Sequence, residues 1–190
     1  MAEGRAQAKL ALESDPLSSY ANAIYGLTCA NAKIYPEALE VSRHAVELDP
    51  ESYLARAILQ FVLHANGQFE ESVATGELAL TMSGRHSWAM AFLTVTLAEW
   101  GKTKDAEAVY DEMTARARRQ YVPPGALAVA ASGAALEDDA VRHTLEAFEN
   151  RDPHSQFLIS RYFSMSARLY AYPGFREAIT KHGRGNWLRD

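Results

Sequence analysis

The sequence predicts an all-α protein, a right-handed α-solenoid of helix-turn-helix units closed by an irregular helical cap. Three observations predict it. The unit Glu51–Gly84 returns when the chain is slid by 34 residues in either direction, and a fixed period of this length marks a stacked repeat. Each unit divides into two amphipathic helical runs around a turn, here Asn66-Gly67-Gln68. Short side chains also recur where the two helices of a unit must cross: Ala38, Ser72, Ala106 and Ala140 share one register, and Ala45, Ala79, Met113 and Ala147 another. Helices approach closely only where such side chains are short. Tyr25, Leu59, Leu93 and Leu127 form a third register, and Pro16, Pro50 and Gly84 punctuate it at one place.

Taken in order, residues 3–15 read as a helix ended by Asp15-Pro16, with Gly4 and Ala11 in the registers of Ala38 and Ala45. It is therefore the second helix of a unit whose first helix is missing. It is either an N-terminal cap or the edge of a longer array, and the second reading is favoured. In the unit 18–50, Ser18 or Ser19 caps a helix running to about Asn31. Pro36 stands early in the next helix, where its missing N–H costs nothing, and Leu48-Asp49-Pro50 ends that helix. Tyr25, Gly26 and Cys29 should face Ala38, Leu39, Ser42 and Ala45. The unit 51–84 keeps the plan, with Gly67 just past the end of its first helix. The unit 85–119 turns at Gly101 and has no closing proline, so its second helix should reach about Arg119. After the link Gln120-Tyr121-Val122-Pro123-Pro124, the unit 121–153 holds a shorter helix, Pro124 to about Gly133, and a partner over Leu136–Asn150. The period fails after Asp152-Pro153. Residues 154–190 read as a terminal cap, with a short helix over 155–161, an irregular aromatic stretch (Tyr162, Phe163, Tyr170, Tyr172) and a helix from Pro173 to His182.

The spacing of Gly26, Ala38, Ala45 and Pro50, then Gly67, Phe69 and Ala79, resembles the tetratricopeptide repeat over residues 17–153. The large aromatic usual early in the first helix of that repeat is replaced by Asn22, Arg56 and Met90. Ser72 and Met113 stand at two of its alanine positions. A narrower likeness lies in Ser83-Gly84-Arg85-His86-Ser87, Gly101 to Arg119, Tyr121-Val122-Pro123-Pro124 and Arg151-Asp152-Pro153. These runs look like the C-terminal repeat arrays that follow bacterial winged-helix transcription regulators, class III adenylate cyclases or serine/threonine kinases. Tyr172-Pro173-Gly174-Phe175 is similar to the closing segment of that group, without its aspartate and arginine. The resemblance implies a regulatory or assembly array from a larger bacterial signalling protein.

Chemistry is sparse. The chain has no glycine-rich phosphate loop, HExxH or G-x-S-x-G elbow, so no enzymatic activity, cofactor or metal is expected. Cys29 shares the register of Leu63 and Leu97 and reads as a small buried apolar residue. The six histidines show no ligand spacing. Glu70/Glu71 and Asp138/Asp139 open helices, where the dipole favours acids, and read as solvated. A net charge of −5 argues against nucleic acid as partner. Arg116, Arg118 and Arg119 suit a helix C-terminus. No run is apolar over the roughly 18 residues a membrane span needs, and the start lacks the apolar core of a secretory signal. One cysteine excludes an internal disulfide, which fits a cytoplasmic location.

The expected partner is therefore a protein or peptide. First helices of successive units line the concave side of such an array, and the 34-residue shift reads off its rows: Tyr20, Leu54, Trp88, Val122; Ala23, Ala57, Ala91, Gly125; Leu27, Phe61, Val95, Val129; and Ala30, His64, Ala98, Ser132. Related arrays that clamp the acidic C-termini of heat-shock chaperones carry Lys, Arg and Asn there. These rows are apolar and aromatic instead, and suit an apolar helical or extended segment. Tyr20, Leu27, Leu54, Phe61, His64, Trp88 and Val95 are the candidate groove residues. The alternatives are that the chain's own tail or a parent domain covers them, or that the groove senses a small molecule for a linked effector domain. Self-association through the terminal helices is a further possibility.

Overall fold

The computed structural model describes residues 2–153, 155–158, 167–183 and 185, with backbone only at 156, 157 and 167. The described residues form helices and contain no strand. The helices are α1 (Ala2–Ser14), α2 (Ser19–Asn31), α3 (Tyr35–Leu48), α4 (Tyr53–Ala65), α5 (Phe69–Met82), α6 (Ser87–Glu99), α7 (Thr103–Ala117), α8 (Pro124–Gly133), α9 (Glu137–Glu149), α10 (Ser155–Leu158), α11 (Ala167–Ala171) and α12 (Pro173–Lys181). One compact unit ends at Ala89 and a second begins at Met90, inside α6.

In the first unit the helices start where their caps allow. Ser18 and Ser52, one period apart, each accept a hydrogen bond at 3.2 Å from the backbone N–H three residues on, Ala21 and Ala55. That satisfies an amide the helix would otherwise leave bare. The polar residues standing where an aromatic was expected have a use. Asn22 Nδ2 donates to the Pro16 carbonyl at 2.9 Å, and Arg56 donates to the Pro50 carbonyl at 3.0 and 3.3 Å. Both side chains tie a helix to the turn that precedes it, which is why polarity is tolerated at this register.

Helices α2 and α3, and likewise α4 and α5, pack as hairpins, with α2 also against α4 and α1 against α2. Ala38, Ala45, Ser72 and Ala79 are fully buried, as the crossing registers require. The Ser72 hydroxyl donates to the Gln60 carbonyl at 2.8 Å. Where the paired helices cross most closely, the two hairpins solve one problem with opposite sizes. A Cβ on Gly26 would collide with the Ser42 hydroxyl, whereas in the next hairpin it is Gly76 that makes room, with the Gln60 amide 2.7 Å from the place a Cβ would take. Gln60 is wholly buried and its amide makes no hydrogen bond, at a cost of about 1–3 kcal/mol.

Each hairpin turns through one left-handed residue. Lys33, Gly67, Gly101 and Ala135 have φ of 61°, 76°, 83° and 59° and are spaced by the repeat. The geometry is common to all four although only two are glycine.

In the second unit α7 ends at Ala117, short of the expected Arg119. The Arg119 and Gln120 amides close onto the Arg116 carbonyl instead. Every residue of α8 is buried, and its Ala, Gly, Val and Leu composition suits a helix covered all round. Gly133 lets α8 lie on α6: a Cβ there would stand 2.7 Å from the Thr94 carbonyl carbon. Asp152 accepts from the Gly125 amide at 3.0 Å and so fixes the start of α8. Leu158, Leu169, Phe175 and Ile179, from the three terminal helices, are fully buried. Of the expected 155–161 helix, 155–158 is helical and the rest lies outside the described residues, as do Tyr162 and Phe163. Tyr170 belongs to α11 and not to an irregular stretch, and α12 ends at Lys181, one residue before His182.

Candidate functional site

The groove residues separate by burial. In the first unit, Tyr20 and Leu54 stand in the first turns of α2 and α4 and are exposed, at 64% and 36%. Leu27 is half-buried. Phe61, His64 and Trp88 are interior, at 2%, 4% and 9% exposure. In the second unit Val95 is fully buried. In the first unit Tyr20 and Leu54 are thus open while Phe61, His64 and Trp88 are packed, and Val95 is packed in the second.

His64 sits with its ring edge-on to Phe69, centroids 5.9 Å apart. Burial alone pushes its pKa down to about 4, so it is neutral near pH 7 and contributes bulk and no charge. Cys29 is fully buried and its thiol is pushed up by desolvation, the reverse of what a nucleophile needs. Among the described residues no group of three His, Cys, Asp or Glu could hold a metal, and no helix is long and apolar enough to cross a membrane.

The sequence does not mark Leu17, which is 76% exposed. It precedes the Ser18 cap, where an apolar residue normally staples onto the fourth helical position. That position is Asn22, turned to the Pro16 carbonyl, so Leu17 has nothing apolar to close on.

Of the acids expected to be solvated, Glu70, Glu71 and Asp138 are exposed, and Asp139 is half-buried. Glu71 receives both of its oxygens' bonds from Arg43, at 2.8 and 2.9 Å. In the second unit Tyr110 donates to Asp139 at 3.0 Å and lies 3.2 Å from His143 Nε2, while Arg142 also holds Asp139. The Arg142 hydrogen bond holds the Asp139 carboxyl below its usual range, and burial with the adjacent guanidinium depresses His143. Tyr110 is itself raised by burial. Tyr110, His143 and the Asp139–Arg142 ion pair thus brace α7 against α9.

The second unit also shows what lies over its first-helix surface. Val122, Gly125, Val129 and Ser132, the fourth member of each row, are all buried. The Ser132 carbonyl accepts from Arg168 at 3.1 Å and from the Tyr172 hydroxyl at 3.2 Å. Both donors belong to the tail, whose α11 packs on α8.

No family model and no curated protein matches the chain. Solved structures similar to this chain include these two. One is a chain of the Naa15/Naa10 complex bound to HypK-THB, at 15% identity and a TM-score of 0.50 over 97% of this chain. This protein spans 32% of that chain's length. The other is YrrB, described as a TPR protein with an unusual peptide-binding site, at 16% identity and a TM-score of 0.47, covering 96% of this chain and 92% of YrrB. With the 34-residue register and the paired-helix packing, the fold is all-α and of the tetratricopeptide-repeat type.

Proposed function

We propose that this protein is a non-enzymatic protein-interaction module that takes an apolar helical or extended segment on its first helices. One observation carries the reading: Tyr20 and Leu54, one repeat apart in the same register, are large, apolar and exposed on neighbouring helices of one compact unit. Leu27 on α2 is half-buried, and Phe61, His64 and Trp88 belong to the interior. Large exposed side chains grouped this way favour a partner more than solvent.

The test is a peptide array probed with the purified chain, followed by affinities measured for the binders it yields. Tyr20→Ala with Leu54→Ala should weaken binding at least tenfold and leave the helical circular-dichroism melt unchanged. Unaltered affinity would overturn the surface. The wider setting we propose is a regulatory array within a larger bacterial signalling or transcription protein. It is supported by the runs Ser83–Ser87, Tyr121–Pro124 and Arg151–Pro153, and an open reading frame lacking any effector domain would count against it.

A further inference from the structure

The charge of the chain is unevenly placed. Residues 1–89 hold eleven Asp and Glu against six Lys and Arg, whereas residues 90–190 hold thirteen of each. The whole net charge of −5 thus belongs to the first unit. Within that unit, three of the eleven acids stand at the entries of the first helices. Asp15 and Asp49 stand in equivalent turns before Pro16 and Pro50, and Glu51 stands where Leu17 does in the preceding unit; all three are exposed. These turns lead directly into the helices that carry Tyr20 and Leu54. Leu17, Tyr20 and Leu54 are therefore exposed apolar side chains with three carboxylates in the turns beside them, where Arg56 also donates to the Pro50 carbonyl.

The second unit shows one segment laid over a first helix, at the opposite end from the register of Tyr20 and Leu54. Its own covering segment, α11 with Tyr172, brings an arginine and a tyrosyl hydroxyl to a backbone carbonyl and buries Leu169 completely. That segment carries one arginine and one large buried apolar side chain. A segment with cationic and apolar side chains complements these exposed residues of the first unit in both apolar area and charge.

We infer that the first unit docks a cationic amphipathic segment of a separate polypeptide. Its apolar side chains rest on Leu17, Tyr20 and Leu54, and its Lys or Arg side chains meet Asp15, Asp49 and Glu51. This deepens the interaction reading above and rests on it. It also sets the polarity opposite to arrays that clamp acidic chain ends.

The experiment uses the full chain and three synthetic 14-residue helical peptides of identical leucine pattern, whose polar positions are all Lys, all Gln or all Glu. Fluorescence anisotropy should give affinity in the order Lys, Gln, Glu, with at least tenfold between the ends. Raising salt from 50 to 500 mM should weaken the Lys peptide several-fold, since exposed charge pairs are screened. Asp15→Asn/Asp49→Asn/Glu51→Gln should remove most of the Lys preference. Glu40→Gln/Glu70→Gln/Glu77→Gln, an equal charge change on exposed sites of α3 and α5, should leave it intact. If both triple variants lose it equally, net charge and not the position of these three acids is responsible and the inference fails. Equal binding of Lys and Gln peptides, lost in Tyr20→Ser/Leu54→Ser, would overturn the charge preference and spare the interaction reading. No binding of any peptide would overturn both. A dimer in sedimentation that the first triple variant dissociates would seat a second copy's basic tail there, and would overturn a separate partner.

Discussion

The two units use the same hairpin for different ends. In the second, the first-helix surface is finished internally: Arg168 and Tyr172 reach the Ser132 carbonyl, α11 lies on α8, and no residue of α8 is left exposed. In the first, Tyr20 and Leu54 are exposed where Val122 of the second is buried, while Ala30 and His64, the counterparts of Ser132, are buried too. The contrast follows from composition. A helix of Ala, Gly, Val and Leu, such as α8, cannot face water along its length and must be covered. Helix α2 opens on a serine cap and Ser19, which are half-buried, and leaves Tyr20 exposed in its first turn. Burial in one unit and exposure in the other are thus two stable outcomes of one repeat, and the open one is the candidate for recognition.

The sharpest way to break the comparison is at the close crossings. Gly133→Ala forces a Cβ to within 2.7 Å of the Thr94 backbone, which no rotamer change relieves, and should destabilise by about 3 kcal/mol. Gly26→Ala meets chiefly the Ser42 hydroxyl. It should cost about 2 kcal/mol alone and much less in the double variant Gly26→Ala/Ser42→Gly, because the next hairpin already works with a glycine on the second helix. Chemical denaturation followed by circular dichroism checks both. A Gly133→Ala protein as stable as the parent, or a double variant no better than Gly26→Ala, would break the account of the crossings.

The second test is pH. His64 has no imidazole counterpart at its register, where Ala30, Ala98 and Ser132 stand. Its folded pKa is lowered to about 4, below the unfolded value of about 6.5. The unfolded chain therefore binds the proton first as pH falls. Full stability is present above about pH 6.5 and is lost as pH drops toward 4, with about 2 kcal/mol gone at pH 5. His64→Gln should flatten this part of the profile. A variant with the parental slope between pH 7 and 5 would assign the loss elsewhere, His143 being the next group depressed by burial.

The repeat made the fold legible, because most crossing registers hold small residues and most unit boundaries hold a proline or glycine, and both can be counted. The helix starts at Ser18 and Pro124 and the burial of Cys29 were equally readable. What the period could not say is which member of a row meets solvent. Tyr20 and Phe61 look alike as groove residues, yet one is open and the other packed, since that depends on what lies over each helix and not on the helix itself. Asp139 was unreadable for a related reason: its partner Tyr110 stands 29 residues away at a register filled elsewhere by Ser42, Gly76 and Thr144. Leu17 was missed because its exposure follows from the side chain of Asn22, not from its own.

The smallest effect concerns the four hairpin turns, where each unit holds one relaxed and one strained version of the same bend. Gly67 and Gly101 take positive φ freely, while Lys33 and Ala135 hold φ of 61° and 59° with a Cβ that crowds the backbone. Replacing either with glycine relieves that crowding but frees the unfolded chain, so the net gain should be about 0.5 kcal/mol at each. The reverse change, Gly67→Ala or Gly101→Ala, should cost about 1 kcal/mol, with no side-chain collision to add, since nothing lies within 4 Å of a Cβ at either. Four single variants compared by urea midpoint would show the pattern: gains at residues 33 and 135, losses at 67 and 101. Opposite signs within either pair would mean that flanking contacts, and not the shared left-handed residue, set the energy of the turn.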